Sequence, residues 1–130
     1  MKKLLVTAAA LAALLGAAMA AEKPSDEHVQ WMKHLGAQSG AIRKGVDVEK
    51  NANALVAEMK AVSAFWAGRN SEAATKAAAS VTSGGEAVAK AAAASDTMGV
   101  QAGMKMIGAG CKGCHDVHRE KISDTENLIK

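Results

Sequence analysis

Cys111-Lys112-Gly113-Cys114-His115, near the end of the 130-residue chain, is the run whose residue types and spacing carry chemistry. Residues three and four apart share one face of a helix, so Cys111, Cys114 and His115 project the same way. Two thiols and an imidazole arranged like this suit a covalent c-type haem. Cys111 and Cys114 would form thioethers to the porphyrin vinyl groups, and the imidazole of His115 would reach the iron. Three other chemistries use the same residues. A redox-active dithiol usually sits at a helix start after a strand, and no strand pattern precedes Cys111. A structural zinc site needs further ligands at sensible spacing, and the chain has no second cysteine pair. A structural disulfide leaves His115 without a role. One covalent haem c is the expectation that uses all three residues.

The elements that must position this motif begin after a targeting segment. Lys2-Lys3, an apolar run over residues 4–15 and the small-x-small Ala18-Met19-Ala20 read as a cleavable secretory signal peptide spanning residues 1–20. Residues 21–130 are then a single small domain. The apolar run is short and alanine-rich for a membrane span, and none is expected in the mature chain. Export suits covalent haem attachment, which is carried out outside the bacterial cytoplasm, so the expected location is the periplasm. Removal of Lys2 and Lys3 lowers the formal charge from +3 to +1, and two haem propionates would make the holoprotein slightly negative. With no basic arm, the composition gives no case for nucleic-acid binding. Trp31, Phe65 and Trp66 are the only aromatic residues. A domain so poor in large side chains would gain a core filler from a buried porphyrin, and the apoprotein is expected to fold poorly.

The mature chain reads as all helix. Pro24 precedes Ser25-Asp26-Glu27, an N-cap with an acidic first turn, and a first helix is expected over about 26–44. His28, Met32, Leu35, Ser39, Ile42 and Val46 fall on one stripe, with Gly36 and Gly40 beside it permitting close approach of a helix or a haem plane. Gly45 is the expected stop. Asp47 would cap a second helix to about residue 66, whose Val48, Ala52, Leu55, Met59, Val62 and Trp66 form a core-facing stripe. The alanine-rich segment 71–94 is interrupted by Gly84-Gly85 and reads as one kinked helix or two short ones. Ser95-Asp96 marks a break before a fourth helix over about 97–123. Its buried stripe would hold Val100, Met104, Ile107, Cys111, Cys114, His118 and Ile122. Four helices with short connections pack most simply as an antiparallel up-down-up-down four-helix bundle, here enclosing the haem on the inner face of the last helix.

The chain resembles the class II cytochromes c, the cytochrome c′ family. The resemblance rests on a haem motif close to the C-terminus, continued as His115-Asp116-Val117-His118-Arg119, with Arg119 matching a basic residue one turn after the haem histidine. Met104, Ile107 and Gly108 match the approach to the first cysteine. Met32-Lys33-His34-Leu35-Gly36, ending at Lys44-Gly45, is similar to the family's opening segment. Two departures stand out. His28 occupies a place where the family usually has Arg, and the longer aromatic-containing loop between the second and third helices is largely missing, so Trp66 receives no haem-contact role.

The resemblance implies that Met32 either supplies a thioether ligand to the distal side of the iron or blocks that side. Met32 is the expected ligand; an empty distal site and ligation by His28 are the alternatives. The blander role for His28 is a propionate contact or a half-exposed helix residue. His34 is expected in solvent, and His118, on the same helix as His115, cannot reach across the porphyrin. With Met32 bound the iron is six-coordinate and low-spin, which describes an electron-transfer carrier working with redox partner proteins. With the distal side empty it is five-coordinate and high-spin, which describes a protein that binds NO or CO. A haem peroxidase would need an acid–base pair over an open iron, and His28 has no evident partner for that task, so the chain is not read as an enzyme. Arg119 is expected as a propionate neighbour, a helix C-terminal charge or part of a docking surface. The family's habit of dimerising through its first two helices is compatible with the small residues there.

Overall fold

The computed structural model describes residues 20–130; apart from Ala20, the expected signal peptide lies outside the described residues. Four helices follow in order, α1 (Asp26–Arg43), α2 (Val48–Gly68), α3 (Glu72–Ala93) and α4 (Thr97–His118), and then two short strands, β1 (Arg119–Lys121) and β2 (Asn127–Ile129). None of these helices is long and apolar enough to cross a membrane.

Local chemistry accounts for where the helices start and stop. Ser25 caps α1 by accepting from the His28 backbone N–H at 3.1 Å, and Asp26 and Glu27 complement the positive end of the helix dipole. Gly45, at φ +72°, ends the first helical segment. Asp47 stands at the N-cap of α2 as expected, but not through its side chain. It adopts a left-handed conformation (φ 42°), and the Asn51 side-chain amide donates to the Val46 and Asp47 carbonyls instead. Ser71 and Asp96 cap α3 and α4 by accepting from the Ala74 and Gly99 backbone N–H groups.

Each helix packs on the next in sequence. His28 and Trp31 of α1 meet Phe65 of α2, whereas His34, further along α1, pairs with Glu58, earlier in α2. The two helices are therefore antiparallel. The same order holds for α3 and α4, where Val88 meets Gly103, Gly84 meets Gly103 and Ile107, and Ala77 meets Gly110. The expected stripe of α2 forms the centre of the core, with Ala52, Leu55, Met59, Val62 and Trp66 all buried against Leu35, Ile42, Val81, Val88 and Ile107.

Three expectations change. First, Gly84 and Gly85 do not interrupt the third segment: α3 is one continuous helix, and both glycines are buried in its interfaces. A Cβ on Gly84 would lie 2.8 Å from the Gly103 carbonyl oxygen and 2.9 Å from the Ile107 nitrogen, so the glycine lets two backbones touch. No comparable approach occurs at Gly36 or Gly40, whose Cβ positions face open space. Second, α4 ends at His118 rather than near residue 123. Arg119 turns to extended backbone, and β1 pairs antiparallel with β2, matching Arg119 with Ile129 and Lys121 with Asn127. Glu22 bridges to the other side of Ile129 (2.7 and 2.8 Å), and Ile129 enters the core. The backbone hydrogen bonds of 119–121 thus go to a ladder that a continued helix would forgo. Third, Ile122 and Val46, placed on buried stripes by periodicity, are exposed, Ile122 at 52%. Each lies just beyond the helix whose period it extends.

The α3–α4 contact yields a stability test. Gly84→Ala forces apart two backbones and is expected to lower stability by about 1–2 kcal/mol, after allowing for alanine's better helix propensity. Gly108→Ala, at a helical position facing open space, is expected to raise it by about 0.5–1 kcal/mol. Urea unfolding of both variants checks the pair of signs.

Candidate functional site

α1 and α4 share no extensive contact, and a cleft of about 410 Å³ lies between them, within the size range of small-molecule and cofactor sites. Its α4 wall carries Cys111, Cys114, His115 and His118; its α1 wall carries His28, Met32, Leu35 and Gly36. Trp66 contributes from α2, and Arg119, Asn127, Leu128 and Ile129 close one end from the ribbon. The helical spacing of the C-x-x-C-H run thus brings its three reactive side chains to one wall, and the expected candidates His28 and Met32 stand on the other.

The electrostatics of the α4 wall separate the chemistries left open by the sequence. Cys111 and Cys114 are free and half-buried. Burial pushes both thiols up, and the neighbouring Cys111 pushes Cys114 further in the same direction. A nucleophilic dithiol needs the opposite, a thiolate favoured by a helix N-terminus or nearby cation. Here the pair sits in the C-terminal half of α4, away from the positive end of its dipole. Among the described residues, no group of three or more His, Cys, Asp or Glu side chains converges to hold a metal ion, so a multi-ligand zinc site has no support. His115 is held below the ordinary 6.5 chiefly by burial and next by Arg119, with Asp116 opposing. Its imidazole is therefore neutral at pH 7, the form that coordinates a metal.

On the opposite wall His28 is buried, as its place on the α1 stripe implies, and is not half-exposed. It is only 7% exposed, edge-on to Phe65 at a centroid distance of 4.8 Å and tilted against Trp31 at 5.5 Å. Its Nδ1 is buried with no hydrogen-bond partner. Burial first, and then Arg69, hold its imidazole below 6.5 against the opposing pull of Glu22. Met32, one turn along α1, is half-buried and lines the cleft. His34 points away, exposed, with Nδ1 3.1 Å from Glu58 Oε1. Arg119 is exposed at the cleft edge.

Two wall residues escaped sequence reasoning. Trp66, 4% exposed, stacks on His118 at 4.3 Å, with the rings inclined by 34°. His118 has both ring nitrogens engaged: Nδ1 lies 2.6 Å from a Lys130 main-chain oxygen, and Nε2 lies 2.7 Å from Ser71 Oγ. The Lys130 oxygen can only accept, so Nδ1 carries a proton; in the neutral ring Nε2 then accepts from the Ser71 hydroxyl. The signal available in the sequence was the place of each residue on an apolar stripe. That the two stripes meet at these residues is a tertiary fact.

Comparison with known proteins finds no matching family model, curated protein or solved structure.

A neutral, buried His28 couples stability to pH. Its folded-state pKa is depressed, so on acidification the unfolded chain takes up the proton first, and stability is lost as pH falls below 6.5 towards the folded value. His28→Phe, which keeps an aromatic ring beside Phe65 and Trp31, is expected to flatten that decline. Chemical denaturation midpoints measured stepwise from pH 8 downwards check it; equal slopes in both proteins would refute the assignment.

Proposed function

We propose that this chain is an exported, periplasmic mono-haem c-type cytochrome of the cytochrome c′ kind that carries electrons between redox partner proteins and is not an enzyme. The observation that carries the reading is the pairing of walls. One helix presents two free thiols and a neutral imidazole to a cleft, and the facing helix presents a methionine thioether. Cys111 and Cys114 would hold the haem covalently, with His115 as the proximal and Met32 as the distal ligand of the iron. The group would supply a one-electron ferric/ferrous couple, which methionine–histidine ligation shifts to higher potential.

The chain's own residues support this assignment by what they exclude and orient. Leu35, Ile129 and Trp66 line the cleft with apolar surface and limit water near the reactive wall. α3 holds α4 by backbone contact, so the cysteines and His115 have a fixed base. Between the two distal candidates, Met32 is favoured. The His28 ring is buried against Phe65 and Trp31, whereas the Met32 thioether side chain is half-buried and lines the cleft. The signal peptide over residues 1–20 and a homodimer through α1 and α2 belong to the same proposal.

Optical spectroscopy of the oxidised and reduced holoprotein tests it. A sharp reduced α-band, a weak ferric absorption near about 695 nm from the thioether ligand, and no change on adding CO are expected. Met32→Ala should abolish the 695 nm feature and open the iron to CO. A wild-type protein that is already high-spin and CO-responsive would reassign Met32 to packing and the protein to NO or CO binding. A low-spin spectrum unchanged in Met32→Ala would make His28 the ligand.

A further inference from the structure

Trp66 lines the cleft and carries an unsatisfied donor. The indole Nε1–H can only donate, and in Trp66 it is buried with no acceptor. Leaving such a group unpaired costs about 1–3 kcal/mol. The ring is also fixed in place, with Phe65 edge-on at 5.0 Å and His118 stacked at 4.3 Å. His118 cannot serve as the acceptor, because both of its nitrogens are committed to Ser71 and Lys130.

The charge of the lining bears on what the missing acceptor is like. The charged side chains lining the cleft, Lys33 and Arg119, are both cationic, and among the described residues no Asp or Glu lines it. An anionic group entering the cleft meets these cations and no carboxylate among the described residues.

We propose that Trp66 Nε1–H is the hydrogen-bond donor to a carboxylate of the cofactor, one haem propionate, and so is a positioning residue that sets how the porphyrin sits between α1 and α4. This inference rests on the haem reading above. It gives Trp66 a role beyond core packing.

Trp66→Phe removes the donor and keeps an aromatic ring between Phe65 and His118. The chain has only two tryptophans, so ultraviolet resonance Raman spectra of wild-type holoprotein minus this variant isolate the Trp66 indole. The expected difference spectrum is that of a hydrogen-bonded indole. In visible-excited spectra the propionate bending bands should move in Trp66→Phe. The midpoint potential should fall as well, because a carboxylate charge no longer neutralised by the donor favours ferric iron. An unbonded indole in the wild-type holoprotein overturns the assignment. So does a bonded indole with propionate bands and potential unchanged in the variant, since the acceptor is then water. If Trp66→Phe fails to mature, the wild-type spectra compared with those of Trp31→Phe holoprotein give the same indole readout. Absence of covalent haem, read from the mass of the matured polypeptide, overturns both this inference and the haem reading. A haem-bearing protein with an unbonded Trp66 overturns only this one.

Discussion

The backbone-to-backbone contact of α3 and α4 is the constraint on which the rest depends. Gly84, Gly103 and Gly110 each stand where a Cβ would enter the facing helix; at Gly110 it would lie 2.6 Å from the Ala77 carbonyl oxygen. Ala77 and Ala91 also meet α4 on this face, at Gly110 and Gly99, without holding the helices apart. With so few large side chains in the chain, close approach replaces bulk as the way to exclude water and gain dispersion contacts. The consequence reaches the cleft. α4 is drawn against α3, α1 packs on α2, and the space between α1 and α4 is left for something other than a helix–helix interface.

Where α4 ends, a second constraint takes over. His118 is gripped by Ser71 of α3, by a Lys130 main-chain oxygen and by the face of Trp66. Lys130 N–H also returns to the His118 carbonyl at 2.9 Å. The residue that terminates the helix therefore ties together α2, α3, α4 and the C-terminal ribbon. Glu22 adds the N-terminal segment through its bridge to Ile129 and an ion pair with Arg69, whose guanidinium lies 4.4 Å from the Phe65 ring centroid. All three aromatic residues of the chain gather at this end, with His28 and His118 among them. The bulk that the rest of the core lacks is concentrated around the cleft.

Burial then selects among the chemistries of the cysteine–histidine run. The same desolvation that raises the thiols lowers the imidazoles. It disfavours the thiolate and favours the neutral imidazole. One physical effect, acting with opposite sign on an acid and a base, leaves two protonated thiols and an unprotonated ring on a single wall.

The local and periodic features were legible in the amino-acid order. The C-x-x-C-H spacing placed three side chains on one helical face, the α2 stripe is buried at Ala52, Leu55, Met59, Val62 and Trp66 with Val48 half-buried at its start, and Ser25, Gly45, Ser71 and Asp96 stand at helix boundaries. All of these depend on interactions within a few residues, which the order of the chain carries directly. The path of residues 119–130 and the continuity of α3 through Gly84-Gly85 were decided by tertiary structure. Glycines within a helix read as an interruption until a facing backbone fills the space they leave. A helix reads as continuing past His118 until a distant strand and the N-terminal segment offer its backbone another set of hydrogen bonds. Trp66 and His118 likewise became parts of one wall only when α2 and α4 were brought end to end, because that contact joins residues about fifty positions apart in the chain, beyond the reach of any local pattern.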